Sequence, residues 1–286
     1  MVKGDHMTKK YIFGCFLLLM TNLCADLKEE FNISNYWHEG MTWDEFLKVR
    51  NNLRRKGLIK YVDKIAQQKL AAIAGLKVPR TYIATNESVP IIDLISPLSS
   101  YVVKATHMSL SQGLMIVKNG VNMLTGKPIT PKQVQEQIFA SLKNRPRKVE
   151  SWALHHVQPG FMIQEYIPNR MEVKIQTIWG RAVIGEWRGG EPKWAQTAIW
   201  GRYDRDGNIK NGSSPAPSWW PKAVAAAEKM AKDTDALRVD FLVREDGQLL
   251  LNELEIWPES NWSSMTSTLE SQLNAGYRAL KTGRPK

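Results

Sequence analysis

Arg238, Asp240, Glu253 and Glu255 fall in two short β-rich runs, Leu237-Arg238-Val239-Asp240-Phe241 and Leu251-Asn252-Glu253-Leu254-Glu255, that could bring three carboxylates and a guanidinium to one spot. Side chains alternate faces along a strand, so Arg238 shares a face with Asp240 and Glu253 shares one with Glu255. Asp246-Gly247 lies between the runs, where glycine supplies the positive φ that a tight hairpin turn needs. Three neighbouring carboxylates repel one another unless a cation or basic groups offset them. All-oxygen ligands suit a hard ion such as Mg²⁺, which is usually held by a few carboxylates together with substrate phosphates. A solvated hairpin with its acids facing water would show the same alternation, so the residues upstream must decide.

The elements that would carry further chemistry follow from pattern and punctuation. Trp43 to Lys60 reads as a basic, partly amphipathic helical region. A second helix is expected from Asp63 to Gly75, with Ala66, Leu70, Ile73 and Ala74 on its apolar face. Val78-Pro79 ends helical structure, and Thr81 to Ala84 begins a strand. Tyr101 to Lys104 reads as a buried strand ending in a lysine. The small-residue loop Thr106 to Gly113 and the strand Leu114 to Val117 follow, which together make a flap. Thr130-Pro131 opens a helix to about Leu142. Strands are expected at Phe161 to Glu165, Glu172 to Ile178 and Ala182 to Trp187, then a long covering loop from Arg188 to Pro217 and a helix from Pro221 to Lys232.

With 286 residues, 43% of them hydrophobic and 23% charged, the chain can bury a sizeable core. Its formal charge of +11 favours acidic partners. The basic residues are scattered, with modest clusters at Arg50 to Lys60 and Lys143 to Lys148. No zinc-finger or RNA-recognition motif accompanies them, which argues against nucleic acid. Both cysteines, Cys15 and Cys24, lie near the N-terminus, so the rest of the chain can build neither a disulfide framework nor a thiol–metal site. Met1 to His6 reads as a residual tag before a second Met7. Lys9-Lys10 followed by Tyr11 to Met20 has the basic and apolar parts of a secretory signal, though Leu23-Cys24-Ala25 is a poor cleavage site and a buried strand or helix is the alternative.

In this order the residues resemble the ATP-grasp superfamily, over roughly Tyr61 to Met265. Asp63-Lys64 is similar to the aspartate–lysine pair that opens the nucleotide region of D-alanine:D-alanine ligases, and Val102-Val103-Lys104 to their strand lysine; the resemblance implies that Lys64 and Lys104 contact ATP phosphates. Ser109-Leu110-Ser111-Gln112-Gly113 resembles the flexible phosphate flap. Gln164-Glu165-Tyr166-Ile167 resembles the hinge that presents backbone groups to adenine, with Glu165 facing the exocyclic amine. Glu172 stands where the family places an acid for the ribose, and Lys174 on the same face could reach phosphate. Asp240, Glu253 and Glu255 match the metal carboxylates, and Arg238 the arginine that steadies the reacting carbonyl. The peptide ligases have asparagine at the last metal position, where this chain has Glu255. Trp257-Pro258-Glu259-Ser260 also replaces their small-residue turn. The short N-terminal part, with the Arg238-Val239-Asp240 strand, looks closer to the teichuronopeptide-biosynthesis (TupA-like) group, linked to amide formation on acidic surface polysaccharides.

The resemblance implies an α+β ATP-grasp fold: two α/β subdomains sandwich the nucleotide behind a short helical N-terminal region. The divisions are 1–27, tag and apolar segment; 28–84, helical region; 85–168, small subdomain with the flap; 169–286, large subdomain with the metal site. It implies a carboxylate–amine ligase using ATP and Mg²⁺, an acidic acceptor such as a polysaccharide, and an amine donor. Lys104 and Arg238 would act on the reacting groups. A kinase acting on a hydroxyl and a non-catalytic basic protein binding glycan or nucleic acid are the alternatives. The late tryptophans Trp194, Trp200, Trp219, Trp220, Trp257 and Trp262 could face sugar rings or serve as packing. ATP chemistry favours the cytoplasm, whereas the signal-like start favours export or association with a membrane.

Overall fold

The protein is described by a computed structural model covering residues 38–146, 152–168, 171–188, 200–212, 214–257 and 266–281. The tag and signal-like segment, with Cys15 and Cys24, lies outside these residues, as do Trp194, Glu259 and Trp262. No described helix is long and apolar enough to cross a membrane.

Two antiparallel sheets of six strands form the framework. The first has the order β1-β6-β2-β3-β4-β5, from Thr81–Thr85 (β1), Ser100–Ala105 (β2), Met115–Lys118 (β3), Val121–Asn122 (β4), Lys127–Pro128 (β5) and Phe161–Glu165 (β6). It begins inside the segment assigned from sequence to the helical region. Tyr101 and Val103 of β2, Met115 and Val117 of β3, and Phe161 and Ile163 of β6 bury one face against Val134 and Ile138 of the helix Pro131–Leu142. That helix starts in a capping box: Thr130 Oγ1 accepts from the Gln133 backbone, the Gln133 side chain accepts from the Thr130 backbone, and Pro131 occupies the first turn. Val102, Lys104, Met162 and Gln164 alternate with the core residues and therefore lie on the opposite face.

The second sheet has the order β10-β9-β8-β7-β11-β12, from Met171–Ile178 (β7), Arg181–Arg188 (β8), Trp200–Asp204 (β9), Ile209–Gly212 (β10), Ala236–Val243 (β11) and Leu249–Glu255 (β12). Its back face, with Val173, Ile175, Trp187, Phe241, Leu251 and Leu254, packs on the helix Trp220–Ala231. One end of its front face, Ile178, Ile184 and Ala236, is covered by the helices Trp43–Leu53 and Thr266–Lys281. The rest of that front face carries the charged residues.

The stretch Arg188 to Pro217 is not one long loop. It contains the β9–β10 hairpin, turned at Asp204 to Asn208, where Gly207 has φ +86°. The Asp204 carboxylate accepts from the Asp206 and Asn208 backbones at 3.0 and 2.9 Å. An Asp-Gly pair marks this turn as it marks the one at Asp246-Gly247. Trp219 and Trp220 pack with Trp187 and Tyr203 on the back of the sheet, away from the charged face.

The helix expected from Asp63 spans Lys64–Ile73, and the Asp63 side chain accepts from Ile65 N at 2.9 Å. Its apolar face matches the expected one at Leu70 and Ala74, which pack in the core; Gln67 and Ala71 are buried with them, whereas Ile73 is 80% exposed. The polar Gln67 sits at the centre of the packed stripe because it has backbone partners there. The helix Thr266–Lys281 carries no early signal beyond Leu269 and Leu273; Gly276 leaves room for Trp179 against it, and the Trp179 indole donates to Leu273 O at 3.2 Å.

A buried ionic knot ties the N-terminal helix to the second sheet. Arg50, fully buried, donates from Nε at 3.1 Å and from Nη2 at 2.8 Å to Asp235 Oδ1, from Nη2 to Ala236 O at 2.7 Å, and also to Ile256 O. Arg55 bonds the other Asp235 oxygen. Asp235 lies just before β11 and Ile256 just after β12, so the knot clamps the two strand ends together. Burial pushes the Asp235 carboxyl up, but Arg50 and Arg55 overcome it and hold it below the usual carboxylate range.

Candidate active site in the cleft between the sheets

β11 and β12 pair with Arg238 opposite Glu255 and Asp240 opposite Glu253, so the anticipated faces coincide. That coincidence depends on an irregularity. Phe241 pairs with Leu251, which leaves Asn252 as an extra residue in β12. Leu249 and Leu251 consequently face the core with Leu254, while Glu253 and Glu255 face the cleft. In a regular strand all four odd-numbered residues would share one side. The bulge residue also supplies a partner from its side chain: Lys104 of the first sheet donates to Asn252 Oδ1 at 2.7 Å.

On β7, Lys174 lies opposite Asp240 and Glu172 opposite Leu242. Beyond it Glu186 and Arg202 continue the Lys174 row across β8 and β9, joined at 3.1 Å. The resulting line, Glu253, Asp240, Lys174, Glu186, Arg202, mixes both signs across five strands.

A cavity is lined by Lys64, Ser109, Ser111, Glu172, Lys174, Arg238, Asp240, Glu253 and Glu255, with Met108, Leu110 and Trp257 at its edges. Nine sequence-predicted residues therefore meet at one place. The acids do not converge on a vacant point, however. Asp240 takes Arg238 through both oxygens, at 2.8 and 2.9 Å. Glu253 takes Lys64 at 3.1 Å, and Glu255 accepts from Trp257 N at 2.8 Å. Among the described residues no three acidic, His or Cys side chains are grouped to hold an ion. The expected three-carboxylate cluster is thus a set of three separately engaged acids on one cleft floor.

Electrostatics distinguishes them. Burial raises the Glu253 carboxyl, but Lys64 and Lys104 outweigh it and hold the group down at about 2. Burial pushes Glu255 up to about 7, aided by Glu253 and Asp240 and opposed by Arg238. Burial also raises Asp240 against the pull of Arg238 and Lys174. Arg238 itself is lowered by burial and raised more strongly by Asp240, Glu255 and Glu253, so it stays cationic. The oxygen-only donor set, with the Glu255 carboxyl raised by burial and by its acidic neighbours, fits a hard divalent ion.

The loop over the cavity leaves β2 at Ala105 and returns at Leu114. Leu110 and Ser111 have φ of +55° and +61°, conformations that cost energy for residues with a side chain. Gly113 does not line the cavity. It accepts from Ala105 N at 3.1 Å with φ +68°, and a Cβ there would stand 2.5 Å from the Ala105 Cβ, so the position must be glycine for the loop to close on β2.

The hinge residues also lie outside this cavity. The Glu165 carboxylate accepts from Arg80 N at 2.8 Å and from Arg244 at 2.7 Å, instead of standing open to an adenine amine. Gln164 is buried on the Lys104 face; its Nε2 donates to Thr81 Oγ1 at 3.2 Å, and its Oε1 has no partner. Tyr166 lies beneath Lys118, with Nζ 5.6 Å from the ring centroid. Ile167 packs with Leu242 and Leu250.

Several contributors carry no motif. Asn252, the carbonyl of Met108 (2.7 Å from Lys64 Nζ) and Gln67 were not anticipated. The Arg50 and Asp235 clamp carries no motif either, although Arg50 opens the basic run to Lys60.

No protein-family model matches the chain, and no curated protein matches it in sequence. Solved structures do. The biotin carboxylase domain of Hydrogenobacter thermophilus 2-oxoglutarate carboxylase, in complex with MgADP, ADP and bicarbonate, is 12% identical with a TM-score of 0.51, over 77% of this chain and 47% of that one. The ATP-grasp ligase PsnB with its minimal precursor is 14% identical with a TM-score of 0.47, over 79% and 63%. D-alanine–D-alanine ligase from Bacillus anthracis complexed with ATP is 15% identical with a TM-score of 0.48, over 78% and 68%. The chain thus spans 47% and 63% of the lengths of the first two. With its two antiparallel sheets facing a charged cleft, it has the ATP-grasp fold.

Proposed function

We propose that the protein is an ATP- and Mg²⁺-dependent carboxylate–amine ligase that works through an acyl phosphate. The observation that carries this reading is the meeting, in one cleft of an ATP-grasp fold, of the lysines Lys64 and Lys174 and the arginine Arg238 with Asp240, Glu253 and Glu255. Lys104 stands directly behind, on Asn252.

Lys64, Lys104 and Lys174 would bind the nucleotide phosphates, and the hydroxyls of Ser109 and Ser111 would donate to phosphate from above. Gln164, Glu165, Tyr166 and Ile167 would border the base, and Glu172 would take the ribose hydroxyls. Asp240, Glu253 and Glu255 would hold Mg²⁺, which would supply positive charge to offset that of the phosphates. A substrate carboxylate accepts the γ-phosphoryl group, and an amine then attacks the activated carbonyl and releases phosphate. Arg238, held rigid by Asp240, would stabilise the oxyanion formed in that attack. Nothing in this sequence of steps requires a cysteine or serine nucleophile.

For the acceptor we adopt an acidic surface polysaccharide, on the TupA-like resemblance of the Arg238-Val239-Asp240 strand. The net charge of +11 supports an anionic partner. Catalysis is assigned to the cytoplasm, where ATP is supplied.

A thermal-shift titration with ATP and Mg²⁺, run on the wild type and on Glu253→Gln, tests the site. The wild type should be stabilised and the variant much less; equal responses would overturn the metal assignment. Product analysis tests the chemistry. Amine-dependent release of free phosphate is expected, whereas a phosphorylated acceptor formed without amine would make the protein a kinase.

A further inference from the structure

Lys64 is paired with Glu253, one of the three acids proposed to hold the ion. Its ammonium lies 3.1 Å from Glu253 Oε1 and 2.7 Å from Met108 O. One group thus bonds both an acid of the cleft floor and the backbone at the root of the Ser109–Gly113 loop. The neighbouring acid is closed as well, because Arg238 occupies both oxygens of Asp240. Among the described residues no three acidic, His or Cys side chains are grouped to hold an ion.

A divalent ion approaching alone would have to expel this ammonium from Glu253. The Lys64 side chain is only 11% exposed, so the expelled charge would be left in a largely desolvated place without a counter-charge. A nucleotide changes the balance, since its phosphate oxygens offer the ammonium a replacement partner in the same movement.

We infer that Lys64 sets which form of the metal the site accepts: the nucleotide-free protein excludes free divalent cations, and takes one only together with a nucleotide whose phosphates draw Lys64 away from Glu253. The inference rests on the nucleotide reading above. It gives Lys64 a role beyond phosphate binding, and it makes the loop at Met108 respond to the nucleotide rather than to the metal.

Mn²⁺ is a suitable probe, because its free concentration can be read by electron paramagnetic resonance with no turnover. The wild type without nucleotide is expected to bind Mn²⁺ only weakly at this site. Nucleotide oxygens tighten Mn²⁺ in any protein of this kind, so the decisive arm is a variant without nucleotide. Lys64→Met should gain nucleotide-free Mn²⁺ affinity by about 10-fold or more, within the usual range of coupling between sites. The gain should vanish in Lys64→Met combined with Glu253→Gln. Lys64→Gln, which keeps a donor for Met108 O without the charge, decides the matter if Lys64→Met does not fold. Tight Mn²⁺ binding by the nucleotide-free wild type, no gain in the variants, or a gain that survives Glu253→Gln would each overturn the exclusion role. A wild type that fails to bind ADP in the presence of Mn²⁺ would overturn the nucleotide reading instead, since the nucleotide-free arms do not depend on it.

Discussion

The side-chain amide of Gln67 pairs with both backbone groups of Leu254: Oε1 accepts from the N–H at 3.2 Å and Nε2 donates to the carbonyl at 3.1 Å. β12 is the outermost strand of its sheet, and this glutamine stands in for the neighbouring strand it lacks. Leu254 lies between Glu253 and Glu255, so the contact fixes the backbone that presents both acids. Nε2 also donates to Tyr61 O at 2.8 Å, which ties the strand to the segment leading into Lys64.

Gln67→Met keeps the volume and removes the amide. The buried N–H of Leu254 then loses its partner, at a cost of about 1–3 kcal/mol. Urea denaturation should show that loss, together with weaker Mg²⁺–ATP binding in a thermal-shift titration.

Gly276→Ala should be as costly, through packing alone. A Cβ there would stand 1.8 Å from Trp179 Cδ1, so the indole must move out of its place against the helix. The expected loss is about 1–3 kcal/mol. A change in tryptophan fluorescence should accompany the lower denaturation midpoint.

Asp235 gives the acid limb of the stability curve. Its folded carboxyl titrates below its unfolded value, so its stabilisation is complete above about pH 4, the ordinary carboxylate range, and is lost as pH falls through the lower folded value. Asp235→Asn should flatten that limb. It also leaves Arg50 and Arg55 without their counter-charge, which should cost about 3–5 kcal/mol at neutral pH. Melting curves from pH 7 to pH 3 on both proteins check the two effects.

Glu255 acts with the opposite sign. Its folded carboxyl titrates at about 7, above the ordinary value, so the folded state holds the proton more tightly and stability falls as pH rises from the ordinary carboxylate range through about 7. Glu255→Gln should match the wild type near pH 4 and melt higher at pH 8. Addition of Mg²⁺ with ADP should narrow the gap at pH 8 by giving the carboxylate a cation.

Lys104→Met removes the bond to Asn252 and, on the proposed function, a phosphate contact. Hydrogen bonds to charged groups contribute about 1.5–3 kcal/mol, so nucleotide affinity should fall roughly 10- to 100-fold. Isothermal titration with ADP and Mg²⁺ reads it directly. Unchanged affinity would remove Lys104 from the nucleotide site.

Much of this architecture was legible in local pattern. Asp246-Gly247 marked the β11–β12 turn, Thr130-Pro131 marked a helix start, and alternation placed Arg238 with Asp240. The Asp204 to Asn208 turn carried the same Asp-Gly signal, yet the glycines and prolines around it hid two short strands. The buried side of the Lys64–Ile73 helix was legible at Leu70 and Ala74 but not at its centre, because Gln67 is polar and is satisfied by nearby Tyr61 and by Leu254, far away in sequence. Long-range pairings such as Lys64 with Glu253, Arg50 with Asp235 and Glu165 with Arg244 leave no trace in spacing. They decide which charges face the cleft already neutralised.

The extra residue at Asn252 has a consequence for how this sequence can change. Deleting it would restore plain two-residue alternation to β12 with Glu253 and Glu255 still toward the cleft and Leu254 still toward the interior, and would remove only the partner of Lys104. Substitutions along this strand alter one side chain at a time, whereas flattening the bulge with Asn252 in place would exchange the chemical and structural faces at once. Chains that share this cleft face can therefore carry one residue or none between Leu251 and Glu253, provided that the residue, where present, is bulged out and the pairing of Asp240 with Glu253 is kept.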